Sequence, residues 1–353
     1  MKQLIFNRLF FCLVLVLCSH ITWAAEVTKE RKIKKSFKVD NQTTLEVSNQ
    51  FGQVHINTTA QNEFRAEIII KVTQTNEERA QEIMDKIEID FEQNQSNNLV
   101  SMKTRLNNIN NKKGSFSIDY LLYIPVANPI KVVNKFGDVY LDETNGNCEI
   151  DVSYGNLKTE VINNNAQITL SFGSGESSVK RIKDGDFLIK YSNLNLEQAE
   201  NLDLNSQFSE IDLGVVKELK LQCNYGKLAL EQVNRMEGEV KFSDFKLDRL
   251  INNIDIELSY AKNFRIGEVD HGYNDIYIKA GFSSIELTLP KKPAVLSASL
   301  QFGNFNYDPN SITMTQIEKG HTSSDYEGWI MSKNGKSNVD LSAKYGNIKV
   351  SIK

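Results

Sequence analysis

The sequence predicts an all-β chain: a single-stranded β-solenoid (β-helix) with about 17–22 residues per coil, plus a small α+β N-terminal elaboration containing one helix. Three observations carry this. First, Phe or Tyr followed by Gly, Ser or Ala recurs at Phe51, Phe136, Tyr154, Phe172, Tyr191, Phe208, Tyr225, Phe242, Tyr260, Phe282, Phe302 and Tyr345. From Phe136 to Phe302 the intervals are 18, 18, 19, 17, 17, 17, 18, 22 and 20 residues, the fixed period of a repeat architecture. Second, apolar residues recur two and four places before the aromatic, as in Ile168 and Leu170 or Leu221 and Cys223. That is the period of a strand with one buried face. Third, the phase slips after the aromatic. Val139 and Leu141, Leu228 and Leu230, Phe245 and Leu247, and Ile285 and Leu287 lie three and five places beyond it. An odd step in an even pattern is a bend or bulge.

Glycine follows the aromatic in seven of the twelve copies and Ser or Ala in the rest, so the small residue is read as the corner that lets the strand turn. A unit this short cannot bury its apolar face alone, whereas stacked copies can. At a strand spacing of about 4.8 Å, ten or so coils make a rod of roughly 50 Å. Helical repeats do not fit, because the apolar positions do not recur at three and four. Propeller blades need about 40 residues.

Taken in chain order, residues 1–24 read as a signal peptide. Lys2 and Arg8 precede an apolar run from Leu9 to Cys18, and Ala24 and Ala25 mark a cleavage site. The run is about half the roughly 20 residues that a membrane span requires, and no later segment qualifies. Lipid attachment at Cys18 is a lesser alternative, since Leu17 stands where such sites want a small residue. Removing Lys2 and Arg8 leaves 39 basic against 45 acidic residues, a formal net of −6, which argues against a nucleic-acid partner. The basic run from Lys29 to Lys35 is expected as a solvated terminal segment. Cys148 and Cys223 remain, in different phases of the repeat, and are expected as buried free thiols.

Residues 25–130 are expected to pack over one end of the solenoid. "EFRAEIIIKVTQT", "IEIDFEQ", "NLVSMKTRL" and "SFSIDYLLYIPV" read as strands. Thr75 and Glu78 form a capping box for a helix near 76–88, with Ala80, Ile83, Met84 and Ile87 on its apolar face. Residues 131–353 are the solenoid, with an irregular insertion near 306–340 that carries Trp329 and "HTSSDYEG", before the last coil at Tyr345.

Because the aromatics share parity with the apolar residues before them, they are expected as an internal ladder rather than a carbohydrate platform. It would run near the solenoid's edge, where the five Tyr hydroxyls find partners. Two places beyond each aromatic lies an outward position: Asp138, Asn156, Ser174, Asn193, Glu210, Lys227, Asp244, Lys262, Ser284 and Asn304. Glu210, Lys227, Asp244 and Lys262 alternate in sign, a cross-strand charge ladder that favours register.

"LEVSNQFGQVHI", the segment "EIIIKVTQTNEERAQEIMDKIEIDFEQ", "YIPVANPIKVVNKFGDVYL" and the closing "NVDLSAKYGNIKVSI" resemble the bacterial putative-adhesin family of β-helical domain-of-unknown-function proteins, of Bacteroidetes type. The departure is the corner, where this chain has Phe or Tyr before Gly instead of a polar residue. The resemblance implies export to a cell envelope and a β-helix, and adds little about binding.

Site chemistry is sparse. His20, His55, His271 and His321 never pair at ligand spacing, and no phosphate loop, nucleophile elbow or calcium repeat is present. No catalytic, cofactor-binding or metal-binding residue is expected. "RIKDGD" from Arg181 is the one mixed cluster, read as a Gly and Asp turn. The expectation is an exported, non-enzymatic envelope protein in the periplasm or at the cell surface, whose surface binds a protein, a glycan or an envelope component. A structural or signalling accessory and a polysaccharide-active enzyme are the alternatives.

Overall fold

The computed structural model describes residues 26–109 and 114–353. Residues 1–24, read above as a signal peptide, with Cys18 and His20, lie outside the described residues. Within them are 25 strands, all joined in one open and mostly parallel sheet, and one helix.

The repeat sets the pairing. Leu157–Ser171, Glu176–Lys190, Asn193–Gln207, Glu210–Asn224, Lys227–Lys241 and Asp244–Ser259 each pair in parallel with the next. Equivalent residues lie side by side: Phe187, Leu204 and Leu221 are register partners in turn. The apolar positions two and four before the aromatic, and three and five after it, are buried as their parity requires. Leu170, Cys223, Leu228, Leu230, Phe245 and Leu247 are all at most 3% exposed.

The parallel stack is not laid down in chain order at its ends. Ser337–Lys344 lies between Asp275–Gly281 and Ala294–Gln301, parallel to both. Ile348–Ile352 likewise lies between Ile285–Leu289 and Phe305–Tyr307. The chain therefore passes one place by and returns to fill it with its last segment. At the other end Thr44–Gln50 and Val54–Thr59 pair with Ile130–Lys135 and Val139–Leu141 across some 80 intervening residues.

Antiparallel pairs are confined to the two ends. Val27–Lys38 pairs with Glu63–Gln74, which pairs with Ser115–Pro125, and Ile87–Asn94 pairs with Leu99–Leu106. The basic run expected as a solvated terminal segment is therefore a strand. Its charges are met by acids: Lys29 with Glu77 at 3.0 Å and Lys34 with Glu67 at 3.2 Å, while Arg31 donates to the Ile87 carbonyl. The helix spans Glu77–Asp85 and buries Ala80, Ile83 and Met84. Its N-cap is Asn76, whose side chain accepts from the Arg79 amide at 2.8 Å, in place of the Thr75 and Glu78 capping box. Ile87 opens the next strand instead of closing the helix. Residues 306–340, expected as irregular, hold Ile312–Lys319 and Ser323–Ile330, two antiparallel strands, the second also antiparallel to Ala294–Gln301.

Cys148 and Cys223 are buried and not joined by a disulfide, as their phases indicate. Burial pushes the Cys148 thiol up to about 12, because a thiolate there would lose its hydration without gaining a partner.

Candidate functional site

Each motif aromatic adopts a left-handed backbone conformation, with φ between 49° and 62° at all twelve. For a residue with a bulky side chain this costs about 1–2 kcal/mol. The turn is made here, at the aromatic, and the small residue after it points inward. Ser192, Ser209, Ser243 and Ser283 are buried, and a Cβ on Gly155 would run into the carbonyl of Gly137 in the adjacent unit. Where serine replaces glycine, its hydroxyl works within the corner. Ser243 Oγ accepts from the Gly226 amide at 3.0 Å and donates to the Lys241 carbonyl at 2.8 Å; Ser283 Oγ does the same between Ala261 and Gly281.

The left-handed residue throws its side chain outward, and this overturns the expected internal ladder. Eleven of the twelve rings are 45–52% exposed. The odd step falls across the aromatic: the position two before is buried, the one after is buried or half-buried, and the ring between them faces solvent. Parity counted from the strand before the corner pointed the ring inward because it assumed the strand continued through that residue.

The rings stack face to face in an unbroken column. In spatial order it runs Phe51, Phe136, Tyr154, Phe172, Tyr191, Phe208, Tyr225, Phe242, Tyr260, Phe282, Tyr345 and Phe302. Steps between centroids are 4.6–5.2 Å and interplanar angles 2–15°. Phe116 leans on the Phe51 end at 5.1 Å. From Phe136 onward the column alternates Phe and Tyr without a break, and it does so only because Tyr345 sits between Phe282 and Phe302. Each stacked pair contributes about 0.5–1.5 kcal/mol, enough to offset the backbone cost in part.

Rows of polar residues flank the rings. The residue immediately before each aromatic gives, in spatial order, Gln50, Lys135, Ser153, Ser171, Lys190, Gln207, Asn224, Lys241, Ser259, Gly281, Lys344 and Gln301. No acid occurs in this row. The row two places after the aromatic brings Asn193, Glu210, Lys227, Asp244 and Lys262 into successive register, so the alternating charges do stack. Lys227 lies 3.4 Å from Glu210, with both side chains more than half exposed. Ser174 does not belong to the row. The corner after Phe172 is two residues longer, and Glu176 is the register partner of Asn193. At the ends of the row Asp138 Oδ1 accepts from the Asn156 amide at 2.8 Å and Ser284 Oγ from the Asn347 amide at 3.1 Å.

A groove of about 930 Å³ crosses the strands from Asn165 to Tyr277. Asp184, Asp186, Asp203 and Glu218 line it together with Lys220 and Arg235. "RIKDGD" lies inside the strand Glu176–Lys190, not in a turn. Asp184 accepts from Asn201 Nδ2 at 2.6 Å, and Asp186 and Asp203 are direct register neighbours with no lysine between them. Among the described residues no group of three or more His, Cys, Asp or Glu is arranged to hold a metal ion. His55 stacks on Tyr140 at 4.2 Å. Among the described residues no helix is long and apolar enough to cross a membrane.

No protein-family model and no curated protein matches the chain. Among solved structures it is similar to a putative cell adhesion protein from Clostridium sporogenes, at 11% identity, covering 92% of this chain and 100% of that one with a TM-score of 0.21. It is also similar to a putative adhesin from Parabacteroides distasonis, at 10% identity over 73% and 97% of the two chains with a TM-score of 0.33. A putative lipid binding protein from the same organism is similar at 9% identity over 73% and 94%, with a TM-score of 0.29. Likenesses at such low TM-scores carry no argument about what this chain binds.

Proposed function

We propose that the chain is an exported, non-enzymatic, adhesin-like binding protein whose contact surface is the aromatic ladder. On this reading the units of residues 131–353 wind as a β-solenoid of 17–22 residues per coil, residues 25–130 close its first end, and the coil serves to space the rings. The offset at which consecutive strands pair in parallel supports the winding. The apolar run of residues 9–18 behind Lys2 and Arg8 supports export.

One observation carries the binding role: the exposure of the ladder. Eleven half-exposed rings present on the order of 1,000 Å² of largely apolar surface. The largest patch on an ordinary monomer is about 300–600 Å², and larger ones mark interaction sites.

The test is binding of the purified chain to immobilised envelope polysaccharides and proteins, before and after Phe208→Asn and Tyr225→Asn in combination. Asparagine keeps the corner and removes the rings, so binding should fall at least about tenfold in a folded protein. Undiminished binding by the variant would remove the ladder from the reading. A polysaccharide-active enzyme retains one observation in its favour, the neighbouring carboxylates of Asp186 and Asp203 in the groove. Turnover of a polysaccharide abolished by Asp203→Asn would establish it.

A further inference from the structure

The ladder has a repeat, two sides and an electrostatic sign, and together these specify an occupant. Each ring within the column lies nearly parallel to the next at 4.6–5.2 Å, so a partner meets mainly ring edges and tyrosine hydroxyls. Ring edges carry the positive part of the aromatic quadrupole and attract oxygen. The hydroxyls of Tyr154, Tyr191, Tyr225, Tyr260 and Tyr345 recur at every second ring, about 10 Å apart along the column. In the adjoining row Lys135, Lys190, Lys241 and Lys344 recur at every third position, with no acid among the residues between them. The row on the opposite flank is mixed, with Asp138, Glu176, Glu210 and Asp244 sharing it with Lys227 and Lys262. Lys241 is paired with Glu239, and Lys344 lies 5.8 Å from the centre of the Tyr345 ring.

We infer that the ladder binds a linear anionic glycan, a uronate-bearing chain lying lengthwise along the rings with its carboxylates toward the lysine row. The inference rests on the ladder being the contact surface, as proposed above. A pyranose chain linked through equatorial bonds at both ends of each sugar advances by about one strand spacing per sugar, so that one sugar faces one ring. An extended peptide advances about 3.2–3.4 Å per residue and falls out of step within a few rings. A second copy of the chain would share the period, but it would set positive ring edges against positive ring edges. The sugar's ring and hydroxyl oxygens meet the ring edges and the tyrosine hydroxyls, and a chain whose orientation repeats every third residue brings a carboxylate to each lysine. Binding many weak identical contacts in series makes affinity a function of length.

The experiment is calorimetric titration of the purified chain with β-1,4-linked oligomannuronates of increasing length, and with the same oligomers after methyl esterification, which keeps the backbone and removes the charge. Affinity should rise with length, fall with added salt, and be at least about tenfold weaker for the esters. The triple variant Lys135→Gln, Lys190→Gln and Lys344→Gln should lose that preference for acid over ester. Tyr→Phe at all five tyrosines, which leaves the stack intact, should weaken binding of both forms about tenfold. Equal affinity for acid and ester, affinity independent of length, no binding at all, or sedimentation showing a dimer that covers the rings would each overturn the inference. The two failures are separable. If a neutral glycan or a protein binds and is lost with the paired asparagine substitutions at Phe208 and Tyr225, the ladder remains the contact surface and only its anionic occupant is wrong. If those substitutions leave all binding unchanged, the surface itself is wrong.

Discussion

Replacing Phe208 by alanine and, separately, by asparagine isolates the cost of the left-handed corner. Phe208 has φ 52° and stacks between Tyr191 at 4.9 Å and Tyr225 at 5.0 Å, with 47% of its surface exposed. Burying the other half, about 100 Å², contributes about 2.5 kcal/mol at about 25 cal/mol per Å². The two stacks add about 0.5–1.5 kcal/mol each. Both substitutions forfeit this sum of about 3.5–5.5 kcal/mol, and they differ at the backbone. Alanine keeps the steric penalty of its Cβ in the left-handed region, whereas asparagine visits that region routinely. The asparagine variant should therefore be about 1 kcal/mol more stable than the alanine variant, although alanine is the better residue in most regular structure. Urea unfolding followed by far-UV circular dichroism measures this as a shift in midpoint at constant slope. An alanine variant as stable as the asparagine variant would refute the claim that the aromatic position makes the turn.

Two further outcomes follow from the corner and the core. Gly155→Ala places a methyl group against the Gly137 carbonyl, a clash between backbones that no rotamer change relieves, so thermal denaturation should show a loss of about 3 kcal/mol or more. Cys148 should resist alkylation in the folded chain at pH 8 and react in urea. Its thiol is raised from 9.0 to about 12 by burial, so the unfolded chain ionises first. Its contribution to stability is whole below pH 9 and is lost as pH rises from 9 toward 12. Cys148→Ala should remove that part of the alkaline decline, as pH-dependent urea midpoints would reveal.

Much of the strand plan was legible in single residues. Leu170, Leu228 and Phe245 declare their burial through parity, because a strand alternates its faces whatever surrounds it. The alternating row from Glu210 to Lys262 followed from the interval of 17–18 residues, since equal units placed in parallel bring equal positions together. The row failed at Ser174, where "GSG" lengthens the corner by two residues and Glu176 takes the place. The hairpin of Ile312–Lys319 and Ser323–Ile330 was also missed. Its outward strand buries little more than Ile312 and so shows no alternation to read.

The orientation of the rings was decided by the tertiary structure. A residue type does not announce the sign of its φ, and Phe and Tyr are poor residues for a left-handed corner, so nothing local placed Tyr154 or Phe208 outside. Tertiary structure alone also set Tyr345 between Phe282 and Phe302, which completes the Phe and Tyr alternation that chain order breaks. The sequence by itself determined the period, the buried faces and the unpaired thiols, because each follows from local alternation and spacing. Which side of the corner faces water, and in what order the last rings stack, depends on how distant segments pair, and that is a property of the assembled sheet.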